Sequence, residues 1–94
     1  MMIEDVRKDV DRVDHEIVRL IAKRQELAGK IARIKISHGL PVHDERRSRE
    51  VLASVFNRAV EYKIDPVSVQ KIFETLVAMS EERQRECSGE GNLP

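Results

Sequence analysis

Residues 2–37 read MIEDVRKDVDRVDHEIVRLIAKRQELAGKIARIKIS, and their spacing decides the fold. Val6, Val10, Val13, Ile17 and Leu20 lead on to Leu27, Ile31 and Ile34, in steps that alternate four and three. That is a heptad seam along one helix. No proline interrupts it. Gly29 lies inside it, at a cost of roughly 1 kcal/mol relative to alanine. Gly39 followed by Pro41 stops it, as a C-terminal glycine and then a proline do.

Two further helices follow. Asp44 is a good N-cap for one over 45–62, with Val51, Leu52, Val55, Phe56, Ala59 and Tyr62 on its apolar face. Asp65 and then Pro66 start another, which runs to about residue 86 with Val69, Ile72, Phe73, Leu76 and Val77 inward. Residues 88–94 are small and polar and read as a flexible tail behind a helical domain of residues 1–87. No strand alternation, internal repeat or second domain is visible.

Composition agrees with an all-α chain. Charged residues make up 36% and aromatics 3%, which fits long charged helices around an aliphatic core better than a sandwich or barrel. Lys plus Arg and Asp plus Glu both total 17, a formal charge of zero. That balance argues against binding nucleic acid or anionic membrane through bulk charge. No apolar run of about 18 residues and no charged-then-apolar leader is seen. The single cysteine, Cys87, cannot staple its own fold or build a thiolate metal site. The chain therefore reads as cytoplasmic.

Length is itself an argument. Some 35 helical residues span roughly 50 Å, whereas a compact domain of this size has a radius of gyration of only about 12–13 Å. A short helix pair cannot cover such a seam. A second copy related by a two-fold axis can. The expected architecture is three helices per chain, one very long, in an intertwined homodimer.

Several polar residues intrude where the pattern asks for apolar ones. The seam passes through position 24, which is Arg24. A cation on an aliphatic stripe needs a partner or a ligand, unless its stem carries the guanidinium out to water. Lys35 follows eleven residues later. That is three turns plus about 20°, so it projects almost as Arg24 does, about 16 Å along the axis. Two such cations can close on an anion of small-metabolite size. Taken alone, Lys35 is an ordinary lysine at a helix C-terminus. On the third helix the stripe Val69, Phe73, Leu76 continues to Ser80 and Gln84, which are polar groups on the inward side or the mark of a helix leaving the core. Asp44, Arg47 and Ser48 share a face at the start of the second helix, where an N-cap with a surface ion pair is the plainer account.

Other candidates carry less. His15, His38 and His43 are scattered, without metal-ligand spacing, and read as surface histidines. Glu45-Arg46-Arg47-Ser48-Arg49-Glu50 is a solvated helix face. Gly89-Glu90-Gly91 has no strand before it or helix after it, so it is not a phosphate loop. No activated nucleophile is identifiable.

The intruding residues form a pattern with their neighbours. Val6-Arg7-Lys8-Asp9-Val10-Asp11 precedes Val13-Asp14. Leu20-Ile21-Ala22-Lys23-Arg24-Gln25-Glu26-Leu27-Ala28 runs on to Lys35. Pro41-Val42-His43-Asp44 with Arg47 comes next, then Ser80 and Gln84. In this order, on three helices of these lengths, the chain resembles the all-helical chorismate mutase family from about Ile3 to Glu86.

The resemblance implies rearrangement of chorismate to prephenate, on the route to phenylalanine and tyrosine, without cofactor or metal. By position, Arg24 and the partner chain's Arg7 would bind the two substrate carboxylates. Lys35 and Gln84 would address the ether oxygen, and Asp44, Arg47, Ser48 and Ser80 would complete the polar wall. Arg24, Lys35 and Gln84 are the implied catalytic groups. Arg7 and Arg24 stand about 25 Å apart along one helix, so they can share one small ligand only across two antiparallel chains. The family commonly has glutamate where this chain has Ser48. That glutamate accepts a hydrogen bond from the substrate hydroxyl. Serine is shorter and uncharged, which leaves room for altered efficiency or substrate. An isochorismate pyruvate-lyase on the same scaffold, or a non-enzymatic helical dimerisation or regulatory module, are the rival expectations.

Overall fold

The structure, a computed structural model, describes residues 1–89. It contains three helices in chain order: α1 (Ile3–His38), α2 (Glu45–Glu61) and α3 (Pro66–Ser88). The punctuation read from the sequence ends them within a residue or two of where it was expected. Gly39 adopts the left-handed conformation, with φ 65°, that a β-carbon disfavours. Beyond it the Leu40 N–H reaches back to the Lys35 carbonyl at 2.8 Å. The Asp44 carboxylate accepts from the Arg47 N–H at 3.0 Å. Asp65 accepts from the Val67 N–H at 3.1 Å and from the Ser68 hydroxyl at 2.6 Å, ahead of Pro66. The Ser68 hydroxyl, then the Val67 N–H, hold the Asp65 carboxyl below the usual aspartate range. Ser88, expected in the tail, belongs to α3, and Gly89 caps it. The rest of that tail, 90–94, lies outside the described residues.

α3 is the middle layer. It packs against both α1 and α2, which do not contact each other. The buried part of α1 is its small residues, Ala28, Gly29 and Ala32. There α3 comes so close that a β-carbon on Gly29 would stand 3.6 Å from the Cys87 sulfur. On the other side the Gln70 amide donates to the Leu52 carbonyl at 3.1 Å, tying α3 to α2.

Among the described residues, the buried part of α1 lies in its C-terminal half. The described apolar core is Ala28, Ala32, Val42 and Ala59, and no large side chain is fully buried. Val10 is 52% exposed and Ile17 49%, with Val6, Val13 and Leu20 similarly bare. Ile72, expected inward, is exposed in the single chain. It borders an apolar groove of about 570 Å³ with Ile17, Leu20, Ile64, Phe73 and Leu76. Tyr62, expected on the inner face of α2, is also exposed, because α2 ends at Glu61 and the chain turns away at Lys63, φ 58°. The molecule measures 55 × 25 × 21 Å. Its radius of gyration, 16.5 Å, exceeds the roughly 12 Å of a compact chain of this length. No helix among the described residues is long and apolar enough to cross a membrane.

Candidate active site

Where α1, α3 and the start of α2 converge there is a cavity of about 460 Å³. Arg24 and Lys35 line it from α1, Asp44, Arg47 and Ser48 from the head of α2, and Ser80 and Gln84 from α3. Seven of the eight residues singled out from the sequence thus meet in one place. The eighth, Arg7, does not. It sits on the bare half of α1 and pairs with Glu4 at 2.6 Å.

The polar wall is ordered by its own donors and acceptors. The Lys35 ammonium donates to the Val42 carbonyl at 2.6 Å and to Gln84 Oε1 at 2.8 Å. An ammonium only donates, so this contact fixes the amide with its oxygen toward Lys35. Gln84 Nε2 then donates to the Ser80 hydroxyl at 3.1 Å. Gln84 is 5% exposed, yet no buried side-chain nitrogen or oxygen among the described residues lacks a partner. The chain of contacts leaves one N–H on Lys35, one on the Gln84 amide and the Ser80 hydroxyl proton uncommitted. Arg24 is half-buried. Its Nη1 reaches the Leu76 carbonyl at 3.4 Å, and its guanidinium lies 5.8 Å from the Phe73 ring centroid. Stacking on an apolar ring and one long hydrogen bond leave most of its donors free.

The head of α2 combines both readings of its residues. Asp44 is the N-cap and also faces the cavity. Arg47, mostly exposed, has Nη1 3.6 Å from Glu50. Among the charged lining residues, Arg24, Lys35 and Arg47 are cationic and Asp44 and Glu81 anionic, three against two. Leu27, Ile31, Val51 and Val77 supply apolar walls, which lower the local dielectric and strengthen each charge.

Two members were not foreseen. The Val42 carbonyl takes a Lys35 hydrogen bond, and no side-chain pattern signals a backbone acceptor. Glu81 lines the cavity beside Ser80. It lies three residues before Gln84, on the same helix face, and that spacing was the available signal. His43, read as a surface histidine, is indeed exposed, but it holds two carboxylates. Its Nδ1 is 2.8 Å from Glu81 Oε1 and its Nε2 3.0 Å from Glu45 Oε2. Hydrogen bonding to Glu81 first, and then to Glu45, raises the His43 pKa above the usual histidine value.

The chain is similar to several known proteins. The chorismate mutase of Methanocaldococcus jannaschii is 30% identical over 84 residues, covering 89% of this chain and 85% of that protein. A bifunctional chorismate mutase/prephenate dehydratase of Aquifex aeolicus is 40% identical over 53 residues. That match covers 56% of this chain and only 15% of the larger protein. A solved structure of a conserved hypothetical protein from Pyrococcus furiosus superposes with a TM-score of 0.67 at 34% identity, covering 87% of this chain and 93% of that one. The family model for chorismate mutase type II matches residues 6–85, a stretch that includes every residue lining the cavity; the chain belongs to that family.

Proposed function

We propose that the chain is a chorismate mutase: a cytoplasmic enzyme whose residues 1–87 form intertwined homodimers with two composite sites, each taking Arg7 from the partner chain. The observation that carries the reading is the Lys35–Gln84–Ser80 network beside Arg24, in a cavity of small-metabolite size.

The reaction is a unimolecular pericyclic shift. One C–O bond breaks, one C–C bond forms, and no atom enters or leaves. It therefore calls for a folded conformer and for donors where negative charge grows on the ether oxygen. Arg24 and the partner's Arg7 bind the two carboxylates and hold that conformer. The uncommitted N–H groups of Lys35 and Gln84 meet the ether oxygen. Their own hydrogen bonds to Val42 and Ser80 fix them beforehand, so little reorganisation accompanies the charge shift. Asp44, Arg47, Ser48 and Ser80 complete the polar wall.

The dimer reading is supported by what a single chain leaves bare: the apolar half of α1, the groove it borders and a core in which no large side chain among the described residues is fully buried. Covering that stripe with a second copy brings hydrophobic burial of roughly 25 cal/mol per Å².

Ultraviolet-monitored loss of chorismate by the purified protein, with prephenate as product, tests the reading. No turnover by folded protein overturns it in favour of a non-enzymatic module. Pyruvate release from isochorismate, with chorismate untouched, overturns it in favour of the lyase that Ser48 leaves room for.

A further inference from the structure

Resting on the chorismate mutase reading, we propose that His43 is a positioning residue of the site: as an imidazolium it fastens the α1–α2 loop to α3 and neutralises Glu81 on the cavity wall.

The geometry favours the charged ring. Both ring nitrogens of His43 face carboxylate oxygens, Nδ1 toward Glu81 at 2.8 Å and Nε2 toward Glu45 at 3.0 Å. A neutral imidazole has one N–H and can satisfy only one of them, whereas the imidazolium donates to both. The two carboxylates belong to different elements, Glu45 opening α2 and Glu81 lying in α3. Between them hangs the loop whose neighbouring residue, Val42, is buried and gives its carbonyl to Lys35 at 2.6 Å. Holding His43 at both ends thus holds the acceptor that sets the ammonium.

The charge matters as well. Glu81 lines the cavity with its side chain only 18% exposed, and an unmatched carboxylate there repels an anionic guest. Other charged groups lie around the latch; on the cavity wall, Arg47 stands 3.6 Å from Glu50. On α3, Arg85 Nη2 stands 3.6 Å from the second Glu81 oxygen and its Nη1 3.7 Å from Glu82. On α2, Arg49 stands 3.9 Å from Glu45. In the loop, Asp44 is committed to the Arg47 N–H. From α1, Lys35 is committed to Val42 and Gln84. Arg85 alone is a loose partner for Glu81, so losing the imidazolium weakens substrate binding without abolishing it.

Steady-state kinetics across about pH 6 to 9, where a histidine of raised pKa deprotonates, tests this. In the unmodified enzyme KM for chorismate should rise roughly two- to fivefold with pH, as expected for one exposed charge pair, and any fall in kcat should be smaller, because Val42 is buried and Lys35 keeps its contact with Gln84. His43→Gln should give the higher KM at every pH, with no rise. Glu81→Gln should give the lower KM at every pH, because the charge to be cancelled is gone. A level KM in the unmodified enzyme, or an unchanged rise in either variant, overturns the proposal. Nuclear magnetic resonance titration of the His43 ring in the full chain decides the latch even in a protein that turns over no chorismate. Glu81→Gln should lower the titration midpoint, and an unmoved midpoint overturns the latch by itself.

Discussion

Lys35 shows how much one side chain is asked to do. It has three N–H groups, and two are spent holding it between Val42 and Gln84. In the proposed site the third is left for the ether oxygen. Removing such a preorganised donor costs roughly 3–4 kcal/mol of barrier. Lys35→Ala should therefore slow kcat by about 10²- to 10³-fold while circular dichroism reports unchanged helicity. A rate near that of the unmodified protein removes Lys35 from the mechanism. Gln84, the second donor, is an amide and carries no titrating proton. The kcat profile should accordingly be level from mildly acidic to neutral pH. A steep fall over that range, with the oligomer intact, contradicts the assigned role. At this scale the sequence was readable where a polar residue broke an apolar stripe, as Arg24, Ser80 and Gln84 do. It was silent about Val42, which acts through its backbone. It was also silent about His43, whose two partners lie on separate elements and meet only once α2 and α3 are packed.

The helices themselves were legible because their ends carry chemistry of their own. Asp44 and Asp65 offer oxygens to N–H groups that a helix start leaves orphaned, and Gly39 takes a backbone angle that other residues avoid. Faces were harder. Ile72 and Tyr62 match the apolar period yet are exposed in one chain, since periodicity says which side a residue is on and not whether anything covers that side. Gly29 poses an element-scale question. It sits in the buried stretch of α1, where glycine is poor helix material, and a β-carbon there would meet Cys87 and Arg33 at 3.6 and 3.9 Å, ordinary contact distances. Gly29→Ala should thus stabilise the fold by about 0.5–1 kcal/mol. In thermal unfolding at fixed protein concentration, that is a rise in Tm of roughly 2–8 °C. A fall in Tm would mean that the contact with α3 tolerates no added atom. Gly29 does not line the cavity, so activity should be retained.

At the scale of the whole molecule, charge and length point the same way. The cavity's charged lining residues sum to one positive charge, three cations less two anions. A dicarboxylate guest asks for more, and Arg7 is the cation the resemblance supplies. Within one chain Arg7 stands about 25 Å from Arg24 along α1, and it pairs with Glu4 on an exposed surface. An antiparallel second copy would bring the bare half of one α1 over the groove of the other and carry Arg7 to the neighbouring cavity. Such a composite site has a signature that no single-chain site can imitate. Arg7→Ala and Lys35→Ala should each be nearly inactive while remaining dimeric in sedimentation. Co-refolded in equal amounts, they should regain activity. A mixed dimer assembles one intact site, with Arg7 from the Lys35→Ala chain and Lys35 from the Arg7→Ala chain, and one site lacking both. Random pairing of two-fold dimers makes half of them mixed, so recovery should approach about a quarter of the unmodified rate. If Arg7 served its own chain, every site in the mixture would lack one group or the other. Confirmed exchange of subunits without recovered turnover would therefore refute the shared site.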